Sequence, residues 1–197
     1  MRLRRACSAS RRPLNADVRP YSAILPVSMI AKTTAGTVTV KVGMATVQIG
    51  PIGSALYALE FLEAANAVPQ QSTAKGSPEF SPVRYYLCCR ALELSLKAFL
   101  LTKGQTAKEL KDKLGHDLEK LWVEANSRGL GQIVGGLSPQ FEADLKDANH
   151  YYKGKAFEYF DFTKWAHGYK GLPELGRFKG ACSALVPAVK DHCFSVC

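Results

Sequence analysis

Val83–Leu101 reads VRYYLCCRALELSLKAFLL. Apolar residues run almost all the way round a helix drawn on this stretch, the pattern of an element buried on every side. Pro82 precedes it, and Lys103 and Gly104 follow Thr102, so start and stop signals bracket a helix from after Pro82 to about Thr102. A membrane span is excluded here, because Arg84, Arg90, Glu93 and Lys97 interrupt the run and four charges are costly in hydrocarbon. Three of them, Arg90, Glu93 and Lys97, stand at i, i+3 and i+7 and form one polar stripe on an apolar cylinder. The stripe is either the solvated side of the helix or the lining of a cleft or subunit interface. A helix this apolar has few places to meet water, which keeps the second reading open.

The same helical rhythm recurs on both sides. SALYALEFLEAANAV places Leu56, Leu59, Leu62 and Ala65 at helical spacing, predicting a first helix at roughly 53–67. PQQSTAKGSPEFSP has no period and reads as a loop. After QTAKELKDKLG, a charged connection with room for a short helical turn, HDLEKLWVEANSRG carries Leu118, Leu121, Trp122 and Ala125 on one face and ends at Gly129. Ser138 as N-cap and Pro139 at the first helical position predict a fourth helix from about 139 to 153. LPELGRFKGACSALVPAVKDHCF predicts a fifth, kinked or interrupted at Pro187. The expected fold class is all-α, an antiparallel bundle of four to five helices over residues 53–197, with no repeat at solenoid periods.

Ahead of the bundle the chain changes character. Residues 1–32 hold six arginines and Lys32 against the single acid Asp17, so +6 of the formal net charge of +9 sits there. The rest of the chain is close to balanced, and a large basic field over the bundle is not expected. Residues 1–35 are read as a basic, disordered arm. Its Arg-rich, acid-poor composition resembles a transit peptide, Pro20 and Pro26 argue against a secretory signal, and Met29 or Met44 are alternative starts. GTVTVKVGMATVQIG, residues 36–50, alternates Val with Thr and Lys about Gly43 and predicts two short strands or one β-hairpin. The six cysteines form no C-x-x-C and no zinc spacing, so neither a metal nor a cofactor is expected and the thiols are read as reduced and cytoplasmic. Phosphate-binding, dinucleotide-binding, zinc-protease and serine-hydrolase motifs are all absent from the sequence.

Three places hold candidate chemistry. LGHDLEKLW, residues 114–122, sets His116 beside Asp117 where a helix begins. Gly115 breaks the preceding turn, Asp117 suits the positive end of the helix dipole, and His116 could serve as a modest cap. The functional alternative is a polar cluster of Arg90, Glu93, Lys97, His116 and Asp117. The expectation is that His116 faces Glu93 and Lys97 across the bundle and that the contact is structural. NHYYKGKAFEYFDF interleaves aromatics with cations, so Asn149, Tyr152, Lys153 and Lys155 are candidates for nucleic-acid contact. Aromatics this dense also serve as packing, with lysines snorkelling past them. His150, in the same segment, is a candidate general acid/base.

Two motifs read together carry a resemblance. Ala91–Leu100 and Gly115–Leu121 match the A-x-E-L-x-L-K-A-x-L and G-H-D-L-x-x-L pattern of HEPN-type helical domains, and the likeness covers about residues 53–165. The resemblance implies an all-α bundle that dimerises, binds RNA or nucleotide, and works in toxin–antitoxin or phage-defence settings beside an antitoxin or a nucleotidyltransferase-like protein. Active members are metal-independent RNases with an Arg-x(4–6)-His motif. None of His116, His150, His167 and His192 has an arginine five to seven positions before it. The expectation is therefore a non-catalytic HEPN-like binding or regulatory module. The alternatives are an RNase or toxin with a non-standard site at His150, and an interaction protein with no nucleotide contact.

Overall fold

The computed structural model describes residues 31–34, 37–42, 45–69, 81–135, 137–159, 162 and 168–197. The expected loop at 70–80 and all but the last few residues of the expected arm lie outside them.

Helix α1 spans Pro51–Ala67 and α2 spans Pro82–Thr102. Ser81 caps α2, its Oγ accepting from the Arg84 N–H at 3.3 Å, and Pro82 fills the first turn where no donor is needed. Arg84 then turns its guanidinium back onto the Val68 carbonyl, with Nε at 3.1 Å, so the start of α2 is tied to the end of α1. Gly104 stops α2 at φ +85°, which a residue with a Cβ adopts only under strain.

Past α2 come a one-turn helix α3, Ala107–Glu109, a π-type turn at Leu110–Leu114, and α4, Leu118–Ser127. A 3₁₀ turn at Leu130–Gln132 leads on to α5, Phe141–Lys153, and the chain closes with α6, Leu175–Val196. Helix α2 is the axis of this all-α bundle and packs against α1, α4, α5 and α6. Leu92, Leu96, Phe99 and Leu100 of α2 meet Leu118 and Leu121 of α4, Phe141 and Leu145 of α5, and Phe178 and Val189 of α6 in one core. Arg177 of α6 grips Asp144 of α5 through Nε and Nη2, at 2.7 and 2.8 Å, a fork that fixes both angle and register.

Four expectations need correction. Leu56 does not face the core; the buried stripe of α1 is Ala55, Ala58, Leu62 and Ala65, whose small side chains suit a close approach of α1 to α2. Helix α5 starts at Phe141 rather than 139, because Ser138 spends its Oγ on Gln140 N at 3.1 Å and its carbonyl on Phe141 N, forming a turn first. Pro187 lies inside α6 without interrupting it, and the carbonyl it leaves unbonded belongs to exposed Ser183, which water can reach. Finally, the hairpin has a third strand. Ala31–Thr34 (β1), Thr37–Val42 (β2) and Ala45–Ile49 (β3) pair antiparallel in the order β1-β2-β3, with Ala31 opposite Val40 and Val40 opposite Val47. The end of the expected disordered arm is therefore strand, as fits the marginal stability of two strands alone. Among the described residues, no helix is long and apolar enough to cross a membrane.

Candidate functional site

Glu93 sits at the middle of α2, on the side that meets α4 and α5, with none of its side chain exposed. A carboxylate taken wholly out of water needs donors on every side. The polar stripe supplies two of them, Lys97 Nζ at 2.6 Å and Arg90 Nη1 at 3.0 Å, both on Oε1. His116, in the turn before α4, reaches across with Nδ1 at 3.0 Å from Oε2 and 3.1 Å from Oε1. Tyr152 of α5 donates its hydroxyl to Oε2. Burial alone would push the Glu93 carboxyl up. The Lys97 charge and the hydrogen bonds from Lys97, Tyr152 and His116 outweigh it and hold the group below its ordinary value. Burial and the Glu93 charge drive the Tyr152 phenol far upward, so it stays a donor at any physiological pH. Burial works against the Arg90 charge too, but Glu93 more than compensates and its guanidinium is held above its ordinary value. Phe61 of α1 steadies the same guanidinium, 5.9 Å from its ring centre.

A second node adjoins the first through the His116–Asp117 peptide. Gly115 takes φ +55° and ends the π-type turn, and Asp117, rather than His116, becomes the N-cap of α4, its Oδ1 accepting from Lys120 N at 3.4 Å. Asn149 of α5 completes this node. Its Oδ1 accepts from Leu118 N at 2.9 Å, while its Nδ2 donates to Asp117 Oδ1 and Glu119 Oε1, each at 3.0 Å. Lys153, one turn on, donates to Asp117 Oδ2 at 2.7 Å. Burial would raise the Asp117 carboxyl, but the bonds from Lys153, Asn149 and the Lys120 backbone hold it below its ordinary value.

The structure thus brings together Arg90, Glu93, Lys97, His116, Asp117, Asn149, Tyr152 and Lys153. Asn149 and Tyr152, read from the sequence as nucleic-acid contacts, are 1% and 4% exposed, and their polar atoms are spent inside the protein. Lys153 is exposed, and so is Lys155, which follows Gly154 at φ +56° past the end of α5. His150 points away to solvent with its ring edge-on to Tyr151, 5.0 Å between centroids. Sequence reasoning missed the inward role of Asn149, although the signal was there. It lies eight residues after Phe141 on the stripe that holds Leu145, Ala148 and Tyr152, and an asparagine on a buried stripe needs partners.

The arrangement is layered. The acids lie beneath, Glu93 wholly buried and Asp117 10% exposed, while the basic groups reach the surface above them. His116 and Lys153 are each 60% exposed, Arg90 29% and Lys97 18%. His116 spends Nδ1 on Glu93, and its Nε2 has no partner among the described residues. The site can therefore hold an oriented imidazole and several donors at one surface. No three His, Cys, Asp or Glu side chains among the described residues group as metal ligands. Comparison with protein-family models, with curated proteins and with solved structures finds no match to this chain, so its function is read from the site itself.

Proposed function

We propose that this chain is a HEPN-like binding module whose site takes an anionic group of RNA or of a nucleotide at the rim formed by Arg90, Lys97, His116 and Lys153. The observation that supports this reading is the layering, with the carboxylates buried and the basic side chains that pair with them more exposed, so a ligand approaching from solvent meets the basic side first. In this reading the chain acts in the cytoplasm, as a homodimer or beside an antitoxin- or nucleotidyltransferase-like partner, and the resemblance of its two motifs supplies that context. Fluorescence anisotropy with a labelled single-stranded RNA and with ATP tests it across a salt series. The logarithm of affinity falls linearly with that of salt concentration, and Lys153→Gln lowers the slope by about 0.7, the value for one phosphate contact on a single strand. Binding that ignores salt, or that is unchanged by both Arg90→Gln and Lys153→Gln, overturns the proposal.

One observation favours a second reading, an RNase, and moves its centre from His150 to His116. A carboxylate fixes one ring nitrogen of His116 and leaves the other toward solvent, the posture of a general acid/base. Cleavage of mixed RNA that His116→Ala abolishes and His150→Ala spares carries this reading. No cleavage by the wild type removes it and leaves the binding module standing.

A further inference from the structure

The outer edge of α1 adjoins the Glu93 site through half-buried Phe61, whose ring centre lies 5.9 Å from the Arg90 guanidinium. One turn earlier on the same helix stands Tyr57, 61% exposed, its ring centre 6.5 Å from that of Phe61 and the two planes at 46°. Rings tilted to that degree do not lie flat on each other, so Tyr57 keeps a face open to solvent. The guanidinium is held from two sides, by the Phe61 ring and by Glu93 Oε1 at 3.0 Å. An open ring and a fixed cation thus stand at a set spacing, joined by one phenylalanine.

A tyrosine carried on a helix loses little freedom on binding, since two torsions define it, and its flat ring suits a partner that is itself flat. The helix also sets the direction of approach. At 3.6 residues per turn, Phe61 falls on one side of Tyr57, toward Arg90, and the exposed Glu60 falls on the other. An anionic chain that enters over Tyr57 and continues to Arg90 therefore runs away from that acid. A second copy of the protein fits this face less well. It has to cover Glu60 and Glu63, both exposed, together with Leu56 and Tyr57, and charged residues are depleted from the cores of protein interfaces.

We propose that Tyr57 is a stacking platform for one unpaired base of a single-stranded nucleic acid whose backbone phosphate lies at Arg90. This rests on the anion-binding rim of Arg90, Lys97, His116 and Lys153, and it adds the class of ligand, a strand with accessible bases rather than a bare polyanion. Every base has a flat face that an aromatic ring can cover, so the platform accepts bases without regard to sequence. Tyr57 supplies the stack and Arg90 the charge.

Fluorescence anisotropy of the full chain with a short labelled single-stranded RNA, and with the same backbone lacking its bases, tests this. The base-bearing strand binds about fivefold or more tighter than the abasic one, Tyr57→Ala removes that advantage, and Tyr57→Phe keeps it. The salt slope of Tyr57→Ala equals that of the wild type, because no phosphate contact is lost. Circular dichroism confirms that both variants fold, as the exposure of Tyr57 leads one to expect. Equal affinity for the two strands, or unchanged single-strand affinity in Tyr57→Ala, overturns the platform, and salt-dependent binding then leaves the rim standing. No binding of either strand overturns platform and rim together. A dimer in analytical ultracentrifugation that Tyr57→Ala abolishes, with strand affinity unaltered, assigns the face to a second copy and overturns the proposal.

Discussion

Replacing Glu93 by Gln keeps the shape of the buried node and removes its charge. The amide oxygen can still accept from Lys97 and Arg90, which share Oε1 in the wild type. The amide nitrogen then faces the Tyr152 hydroxyl and His116 Nδ1, and both can switch from donor to acceptor. What is lost is the counter-charge of two cations with limited access to water. Each pair at 2.6–3.0 Å carries several kcal/mol of attraction at an effective dielectric near ~20, and partial rehydration of the freed cations returns much of it. The net cost of Glu93→Gln is about 2–3 kcal/mol, and that of Glu93→Ala about 3–5 kcal/mol, since the donors then lose their acceptor altogether. Urea unfolding followed by circular dichroism measures both, with a midpoint drop of about 1–2 M for Glu93→Gln at an ordinary slope.

The pH dependence separates charge from packing. The folded Glu93 carboxyl titrates below its ordinary value of 4.5. Its stabilisation is therefore complete above that value and is lost as pH falls through the lower folded one. The gap between wild type and Glu93→Gln stays constant from about pH 7 to 5 and narrows below. A gap under about 0.5 kcal/mol at neutral pH, or one that does not narrow in acid, refutes the picture of a charged buried node.

Asn149→Ala strips the Leu118 N–H at the start of α4 of its acceptor and costs about 1–3 kcal/mol with an unchanged urea slope; a loss below that range means water replaces the amide. Leu92→Ala, in the fully buried wall of α2, costs about 2–5 kcal/mol in the same assay, and a smaller loss means the surrounding helices collapse around the cavity. Among the described cysteines, Cys197 is exposed whereas Cys88, Cys89, Cys182 and Cys193 are buried, and burial pushes the Cys193 thiol up to about 11. Alkylation of the native protein mapped by mass spectrometry labels Cys197 first and the other four only after denaturation.

Much of the bundle is legible in the sequence wherever a single physical signal dominates. The all-round apolar run of α2, bracketed by Pro82 and Gly104, fixes that helix because no other element buries every face. The same rule fails for α1, where leucines mark the expected stripe and alanines form the real one. Hydrophobicity ranks Leu56 above Ala55, but close packing of α1 on α2 selects for small volume. Helix starts fail differently. Ser138 and Asp117 both suit a cap, and only the three-dimensional path decides that Ser138 closes a turn while Asp117 caps α4. The polar node is half legible. The stripe Arg90–Glu93–Lys97 is visible as a pattern, whereas Tyr152 lies 59 positions from Glu93, a separation that no local period can encode.

Why such a node stands in the core is a question of specificity more than of strength. A buried ion cluster gains little over well-packed apolar residues of the same volume, because desolvating its charges offsets most of their attraction. It differs in tolerance. Apolar side chains accept a helix shifted along its axis, but Glu93 keeps His116 and Tyr152 as donors only when α2, the turn before α4 and α5 all hold one register. The Asp117–Asn149 node repeats the constraint between α4 and α5. The outcome is that His116, on a turn at the surface, is tied to a buried carboxylate while most of its side chain stays in water. A side chain with that much exposure would otherwise sample several rotamers, and the Glu93 contact favours one orientation of the ring.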